Sequence, residues 1–153
     1  MNLPKTAGQC RYMLALNSNK PIIIGTGPAG SGKTMLACHT AAEHIHNQPR
    51  GKVVLTRPIV AADEDMGYLP GDMNQKMEPW TRPMYDIFEQ YFTHNQMDRY
   101  ISIEPLGYMR GRTFNHTLII ADEMQNSPES DVNVADPCRT GNATHCHWGL
   151  GTI

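Results

Sequence analysis

Residues 21–34 read Pro21-Ile22-Ile23-Ile24-Gly25-Thr26-Gly27-Pro28-Ala29-Gly30-Ser31-Gly32-Lys33-Thr34. An apolar run leads directly into the spacing Gly-x-x-x-x-Gly-Lys-Thr, which is the Walker A pattern of a phosphate-binding loop. Its glycines permit positive φ angles, so that successive backbone N–H groups can curl around an anion. A helix expected from about residue 32 directs its positive dipole end at the same anion. This stretch therefore predicts a strand, a phosphate loop and a helix in direct succession.

Two side chains of the loop have chemical tasks. Lys33 brings a mobile cation to the outer phosphates, and the hydroxyl of Thr34 is suited to ligate Mg²⁺. We therefore assign nucleotide binding to the whole octet, which consists of Gly27, Pro28, Ala29, Gly30, Ser31, Gly32, Lys33 and Thr34.

Gln9 is a further candidate for nucleotide binding. It lies on the same face of a helical lead-in (residues 1–20) as Tyr12, because the two are three positions apart. In several P-loop ATPases a glutamine just before the first strand reads adenine. A solvated side chain is the alternative interpretation.

Size and composition set the outer limits. A chain of 153 residues favours one domain with one core. The net charge of −2 provides no global basic field, although a local groove can still bind a single strand of nucleic acid. No apolar run approaches the roughly 18 residues of a membrane span, and the N-terminus lacks a signal-peptide core. We expect a cytoplasmic protein with no membrane partner.

The rest of the chain alternates between strand and helix patterns. An open, mostly parallel α/β sheet is the architecture that this alternation favours. After the strand at 22–25, the predicted elements are a helix at 32–47, a strand at 53–56, a helix from Glu78 with Pro79 in its first turn, and strands at 100–104 and 117–121.

The last of these strands ends in an acidic pair. Residues 117–123 read Thr-Leu-Ile-Ile-Ala-Asp-Glu, an apolar run of the Walker B type. Asp122 is placed to hold Mg²⁺ together with Thr34, and Glu123 to orient and deprotonate the attacking water. We take Lys33, Asp122 and Glu123 as the catalytic candidates, and Thr34 and Asp122 as the metal ligands. Gln125 and Asn126 follow in position to sense a γ-phosphate.

Three arginines are candidates for contact with phosphate. Arg57 follows the strand at 53–56, where the carboxyl end of a parallel strand faces the ligand crevice; a surface salt bridge is its alternative role. Arg110 and Arg112 flank a glycine beside Tyr108, a combination suited to nucleotide phosphate or to a nucleic-acid backbone.

Taken together, these blocks resemble the PhoH family of P-loop ATPases, which look like helicase cores. Most of residues 6–129 are covered, in order. The blocks that carry the resemblance are Gly27–Thr34, Leu55-Thr56-Arg57-Pro58, Gly67-Tyr68-Leu69-Pro70-Gly71-Asp72, Tyr108-Met109-Arg110-Gly111-Arg112-Thr113 and Ile120-Ala121-Asp122-Glu123-Met124-Gln125-Asn126.

The resemblance implies a three-layer α/β P-loop NTPase fold with a mostly parallel sheet. It also implies ATP and Mg²⁺ as cofactors, ATP hydrolysis, assembly into a homo-oligomeric ring, and a role with single-stranded RNA. A kinase-type phosphotransferase is a rival, although the Asp122-Glu123 pair favours hydrolysis. A non-catalytic nucleotide-binding module is a second rival.

The resemblance stops after Glu129, and residues 130–153 have no helical period. Cys138, His145, Cys146 and His147 look like zinc ligands, but their spacing fits no standard structural zinc site. We divide the chain into a P-loop core at 1–129 and an aberrant tail at 130–153.

We interpret this tail as the product of a one-base frameshift. If the first base of the Ser130 codon is dropped, permitted codons yield Gln-Met-Leu-Met-Leu-Leu-Thr-Arg, an amphipathic helix. Further on, the codons of residues 145–149 can yield Ile-Val-Thr-Gly-Asp. The glycine is forced, because tryptophan has one codon and Gly149 begins with GG. A core without this helix and strand leaves a sheet edge and apolar surface uncovered, so we expect little ATPase activity.

Overall fold

The computed structural model describes residues 4–48, 50–58, 73–109 and 111–126. In the third of these ranges, side chains are described from Pro79 onward. Outside these residues lie Arg110, the tail at 130–153 and most of the predicted connection at 58–79.

The predicted helices and the strands predicted at 53–56, 100–104 and 117–121 are found in the predicted order, whereas residues 22–25 form no strand here and the helix at His94–Tyr100 was not predicted. The helices are α1 (Ala7–Leu16), α2 (Lys33–Asn47), α3 (Met73–Phe88) and α4 (His94–Tyr100). The strands are β1 (Lys52–Thr56), β2 (Ile101–Ile103) and β3 (Thr117–Ala121), and two 3₁₀ turns cover Leu106–Met109 and Met124–Asn126.

The three strands form a parallel sheet in the order β2-β1-β3. Val54 lies opposite Ser102 on one side and Ile119 on the other. The predicted α/β class with a mostly parallel sheet is confirmed. Since parallel strands end at one edge, the residues that follow them, Arg57, Glu104 and Asp122, come to the same end of the sheet.

The predicted first strand is not part of this sheet. Residues 22–25 carry no strand assignment in the described structure, although Ile23 is buried while Ile22 and Ile24 are exposed. That alternation is typical of a strand with one buried face. A strand also needs a neighbour to receive its backbone hydrogen bonds, and neither edge strand of the described sheet provides one here.

The helix expected from Glu78 begins earlier, at Met73, and contains Pro79 and Pro83 in its interior. Proline was predicted for the first turn because it lacks an N–H donor and clashes with the preceding turn. Tertiary packing overrides this preference, since Met84 and Phe88 of the same helix are buried in the core.

The sheet separates two clusters of buried side chains. The larger one lies between the sheet and helices α2, α3 and α4, with Ile45, Phe88 and Met97 at its centre. The smaller one covers the other face with residues of the two 3₁₀ turns, such as Met109 and Met124. Helix α2 packs on the first face of the sheet. The phosphate loop at the start of α2 therefore lies at the carboxyl end of the sheet.

Candidate functional site

The phosphate loop is preformed at the start of α2. Gly30 and Gly32 have φ angles of 73° and 84°, in the left-handed region that favours glycine. Gly32 is the N-cap of α2, and no side chain caps the first N–H groups of the helix. Those N–H groups and the helix dipole are therefore oriented to receive an anion.

Lys33 bends back over this loop. Its Nζ donates to the carbonyl oxygens of Gly27 (2.8 Å) and Pro28 (2.9 Å) and to Oγ of Ser31 (3.2 Å). The ammonium group is thus held above the loop by neutral acceptors. Hydrogen bonds to charged oxygens are about twice as strong as bonds to neutral ones, so a phosphate competes well for this ammonium.

Thr34 and Asp122 meet although they are far apart in the chain. Oγ1 of Thr34 donates to Oδ1 of Asp122 at 3.0 Å, and the N–H of Asp122 donates to the Thr56 carbonyl at 3.0 Å. The first bond joins the two predicted metal ligands, and the second anchors the carboxylate to the end of β1.

Burial raises the pKa of Asp122 above its ordinary value. The hydrogen bond from Thr34 lowers the pKa, the neighbouring Glu123 raises it, and the charge of Arg57 lowers it. A hydroxyl and a half-buried carboxylate side by side are hard oxygen ligands, and they fit Mg²⁺, which usually takes one or two protein ligands together with phosphate oxygens and water.

Glu123 adopts an unusual backbone conformation, with φ of 53° in the left-handed region. Such strain in a residue other than glycine is concentrated at functional sites. Its carboxylate Oε2 accepts a hydrogen bond from Nε2 of Gln125. Gln125 thus contacts the predicted general base, and its contact with a γ-phosphate stays a prediction.

The loop and the acidic pair line one cavity of about 240 Å³. Its walls are Ala29, Gly30, Ser31, Gly32, Lys33, Thr34, Met35, Asp122 and Glu123. All three catalytic candidates and both metal candidates therefore face a common space.

Gln9 lies against the loop. Its Nε2 donates to the Ser31 carbonyl at 2.9 Å, and its Oε1 accepts from the Lys5 N–H at 2.6 Å. The side chain also lines a second cavity, of about 490 Å³, between α1 and residues 23–28. Gln9 is thus fixed beside the nucleotide candidates, while its contact with adenine stays a prediction.

Two of the three candidate arginines lie among the described residues, and they have different surroundings. Arg57 lies over the ring of Trp80, 5.8 Å from its centroid, and its charge acts on Asp122. Arg112 forms an ion pair with Glu104 (3.1 Å) and lies over the ring of Phe114. Arg57 is therefore the better placed of the two for phosphate, and Arg112 stabilises the connection between β2 and β3.

Tyr12, which the sequence places on the same helix face as Gln9, has a larger part in the structure. A Cβ added at Gly25 would lie 2.8 Å from Cε2 of Tyr12, so the ring packs directly on the backbone that enters the phosphate loop. Burial, with smaller contributions from Cys38 and Asp122, raises the pKa of Tyr12 to about 12. In the sequence, the only indication of this contact is the position of Tyr12 one helical turn after Gln9.

The Tyr12 hydroxyl is buried without a hydrogen-bond partner in the described structure. We expect Tyr12→Phe to raise the free energy of unfolding by about 1 kcal/mol, because the desolvation cost of that hydroxyl disappears. Urea denaturation measures the change. Tyr108→Phe, at a ring that is 65 % exposed, is the control and should change stability by less than about 0.5 kcal/mol. A loss of stability in Tyr12→Phe would contradict the prediction.

Comparison with known families gives one match, to the family described as PhoH-like protein, over residues 3–144. This match continues past Glu129, and the domain boundary proposed there stays a prediction. None of the helices in the described ranges is long and apolar enough to cross a membrane.

Curated proteins of similar sequence have matching names. A "PhoH-like protein" of Bacillus subtilis (strain 168) is 42% identical over 135 residues, covering 85% of this chain and 42% of that protein. "Protein PhoH" of Escherichia coli (strain K12) is 39% identical over 132 residues, covering 81% of this chain and 37% of that protein. The chain thus spans about two fifths of the length of these relatives.

Among solved structures, the UvsW helicase from bacteriophage T4 is similar in fold, with a TM-score of 0.60 and 14% sequence identity. The alignment covers 97% of this chain and 52% of the helicase chain. At this identity the likeness concerns the fold alone, which is that of a P-loop NTPase.

Proposed function

Because this chain belongs to the PhoH-like protein family, we propose that it binds ATP at the loop of residues 27–34, and that Asp122 and Glu123 serve ATP hydrolysis in a complete core. The observation that carries the proposal is the 3.0 Å hydrogen bond from Thr34 to Asp122, because it joins the loop to the acidic pair. P-loop NTPases use this pair of ligands for Mg²⁺.

Each residue has a defined task at this site. Lys33 exchanges its carbonyl acceptors for phosphate oxygens, and the uncapped N–H groups of α2 bind the same phosphates. Thr34 and Asp122 would hold Mg²⁺, which would supply positive charge close to the phosphates. Glu123 accepts a proton from water, and its hydrogen bond with Gln125 holds the carboxylate on the side of the cavity.

Thr34→Val tests the metal part of this site. We expect the affinity for ATP in the presence of Mg²⁺ to fall about tenfold, since a hydroxyl ligand worth roughly 1.4 kcal/mol is lost. Without Mg²⁺ the affinity should stay the same. Thr40→Val, on the same helix and outside the cavity of the loop, is the matched control. Fluorescence titration with an ATP analogue gives both values, and an equal loss with and without Mg²⁺ would refute the assignment.

Turnover is expected to be slow. The described sheet has three strands, and no strand beside β3 on the side away from β1. We expect phosphate release by the purified chain at least about a hundredfold below the usual enzymatic range of about 1–1000 s⁻¹. A rate within that range that is abolished by Lys33→Ala would prove this wrong. Transfer of phosphate to an added small molecule would instead support the kinase alternative.

Single-stranded RNA is the second part of the proposal. Arg57 stacks on Trp80, and Tyr108 is 65 % exposed in the turn after β2, so cationic and aromatic groups follow neighbouring strands. Such surfaces bind single strands by stacking and by contacts with phosphate. Phosphate release measured with and without RNA tests this part. Ring assembly is implied by the family resemblance, and mass measurement in solution tests the assembly. The cytoplasmic location expected from the sequence stays a prediction.

A further inference from the structure

Arg57 follows β1 with a fixed backbone and a long side chain. The N–H of Asp122 donates to the Thr56 carbonyl at 3.0 Å, so the end of β1 is held against the end of β3. The next residue, Pro58, is buried and restricts Arg57 to an extended backbone. The location of the guanidinium group therefore depends on what the side chain itself contacts.

Among the described residues, the ring of Trp80 makes that contact. The Cζ atom of Arg57 lies over this ring, 5.8 Å from its centroid. Trp80 is partly buried against the core, where Met84 and Phe88 of the same helix are anchored. A planar guanidinium that lies over an aromatic face is restrained, but its N–H donors stay available at the rim. The ring thus limits the movement of Arg57 without using its donors.

The charge of Arg57 acts on the phosphate site. The two ion pairs between described side chains belong to Arg82 and Arg112, so neither engages Arg57. Burial raises the pKa of Asp122 and the charge of Arg57 counteracts this rise, so the two groups are close enough to interact. Asp122 lines the cavity of the phosphate loop. Arg57 therefore lies on the side of that cavity where Mg²⁺ and the outer phosphates would bind.

We propose that Trp80 is a positioning residue, whose ring holds the Arg57 guanidinium beside the phosphate loop for contact with the outer phosphates of a bound nucleotide. This inference rests on the proposed function, because it requires ATP at residues 27–34. The phosphates of an RNA backbone offer the same chemistry, but the interaction of Arg57 with Asp122 favours the nucleotide. A side chain that is ordered before binding loses less conformational entropy on binding, so the ligand binds more tightly.

The affinities for ATP and ADP, each with Mg²⁺, test the role of the ring. We expect Trp80→Leu to weaken ATP binding about threefold to tenfold, which corresponds to one side chain that must be ordered on binding. ADP should be affected less, because it lacks the outermost phosphate. Trp80→Phe keeps an aromatic face and should restore both affinities to within about twofold of the unchanged protein. Urea denaturation verifies that each variant is folded.

Arg57→Lys is a second variant, which leaves Trp80 and the core intact. Lysine keeps the charge but lacks the planar group that lies on the ring, so the loss of ATP affinity should match that of Trp80→Leu. In an Arg57→Ala background, Trp80→Leu should change the affinity by less than about twofold, because the ring has no arginine to hold. Arg82→Ala is the control, since this arginine is on the same helix with its side chain 66% exposed.

Acrylamide quenching tests the contact without nucleotide. Trp148→Phe leaves Trp80 as the single tryptophan, because the chain has two. Removal of the guanidinium by Arg57→Ala should uncover the ring and raise the quenching constant, whereas Arg82→Ala should leave the constant unchanged. An equal constant with and without Arg57 would overturn the inference.

The binding results separate this inference from the proposed function. Equal ATP affinities of Trp80→Leu and Trp80→Phe, or a full effect of Trp80→Leu in the Arg57→Ala background, would overturn the inference while ATP binding stands. A loss confined to single-stranded RNA would overturn it as well. If the unchanged protein binds no ATP, the proposed function fails, and the inference fails with it.

Discussion

Lys33→Ala is expected to weaken ATP binding by about thirtyfold to a hundredfold. The Lys33 ammonium lies over the loop within 3.2 Å of three neutral acceptors, and phosphate oxygens would take their place. A hydrogen bond to a charged group contributes roughly 1.5–3 kcal/mol, and each 1.4 kcal/mol corresponds to a tenfold change in affinity. Titration with a fluorescent ATP analogue, with and without Mg²⁺, measures the effect.

Lys20→Ala is the matched control, because Lys20 is exposed and lies before residues 22–25, away from the loop. It removes the same charge and should leave the affinity unchanged within about twofold. Circular dichroism of both variants verifies that the helices are intact. If the fold is retained and Lys33→Ala binds ATP as tightly as the unchanged protein, the loop is not the phosphate site.

Phe88→Ala is expected to lower the free energy of unfolding by about 3–5 kcal/mol. Phe88 is fully buried at the end of α3, in the cluster that joins α2, α3 and α4 to the sheet. Truncation removes its transfer free energy and leaves a cavity. Since a domain has about 5–15 kcal/mol in total, this loss would unfold a large part of the protein at moderate urea concentrations.

Leu14→Ala is the control for this core substitution. Leu14 is also a large apolar residue on a helix, but it is 74 % exposed, so its truncation should change stability by less than about 0.5 kcal/mol. Urea denaturation followed by circular dichroism compares the three proteins. A loss below 1 kcal/mol in Phe88→Ala would mean that the helices do not pack on the sheet as the structure has them.

Local sequence patterns predicted the helix after the phosphate loop and the strand before Asp122 well, whereas the strand predicted at 22–25 is absent from the described sheet. The octet of residues 27–34, the start of α2 and the strand before Asp122 were all identified within a residue or two. These features depend on φ preferences and on the spacing of apolar residues along a short stretch. The meeting of Thr34 with Asp122 was also expected from the two motifs, although residues 22–25 are not a strand of the described sheet.

The contacts of individual polar side chains were less accessible to sequence reasoning. Arg112 pairs with Glu104, and Gln125 contacts Glu123, two contacts that the sequence did not indicate. The contacts of both side chains with phosphate stay predictions. The choice between a protein partner and a ligand depends on which groups lie within about 3 Å after folding. Residue type and spacing do not specify that distance.

By itself, the sequence determined the phosphate loop, the acidic pair and most of the helices and strands, because each depends on residues that are close in the chain. The tertiary structure decided which strands pair. It placed residues 22–25 outside the described sheet, packed Tyr12 against Gly25, and left one edge of β3 without a described neighbour. Strand pairing joins residues that are distant in the chain, and its hydrogen bonds form only when the whole set of neighbours is in place.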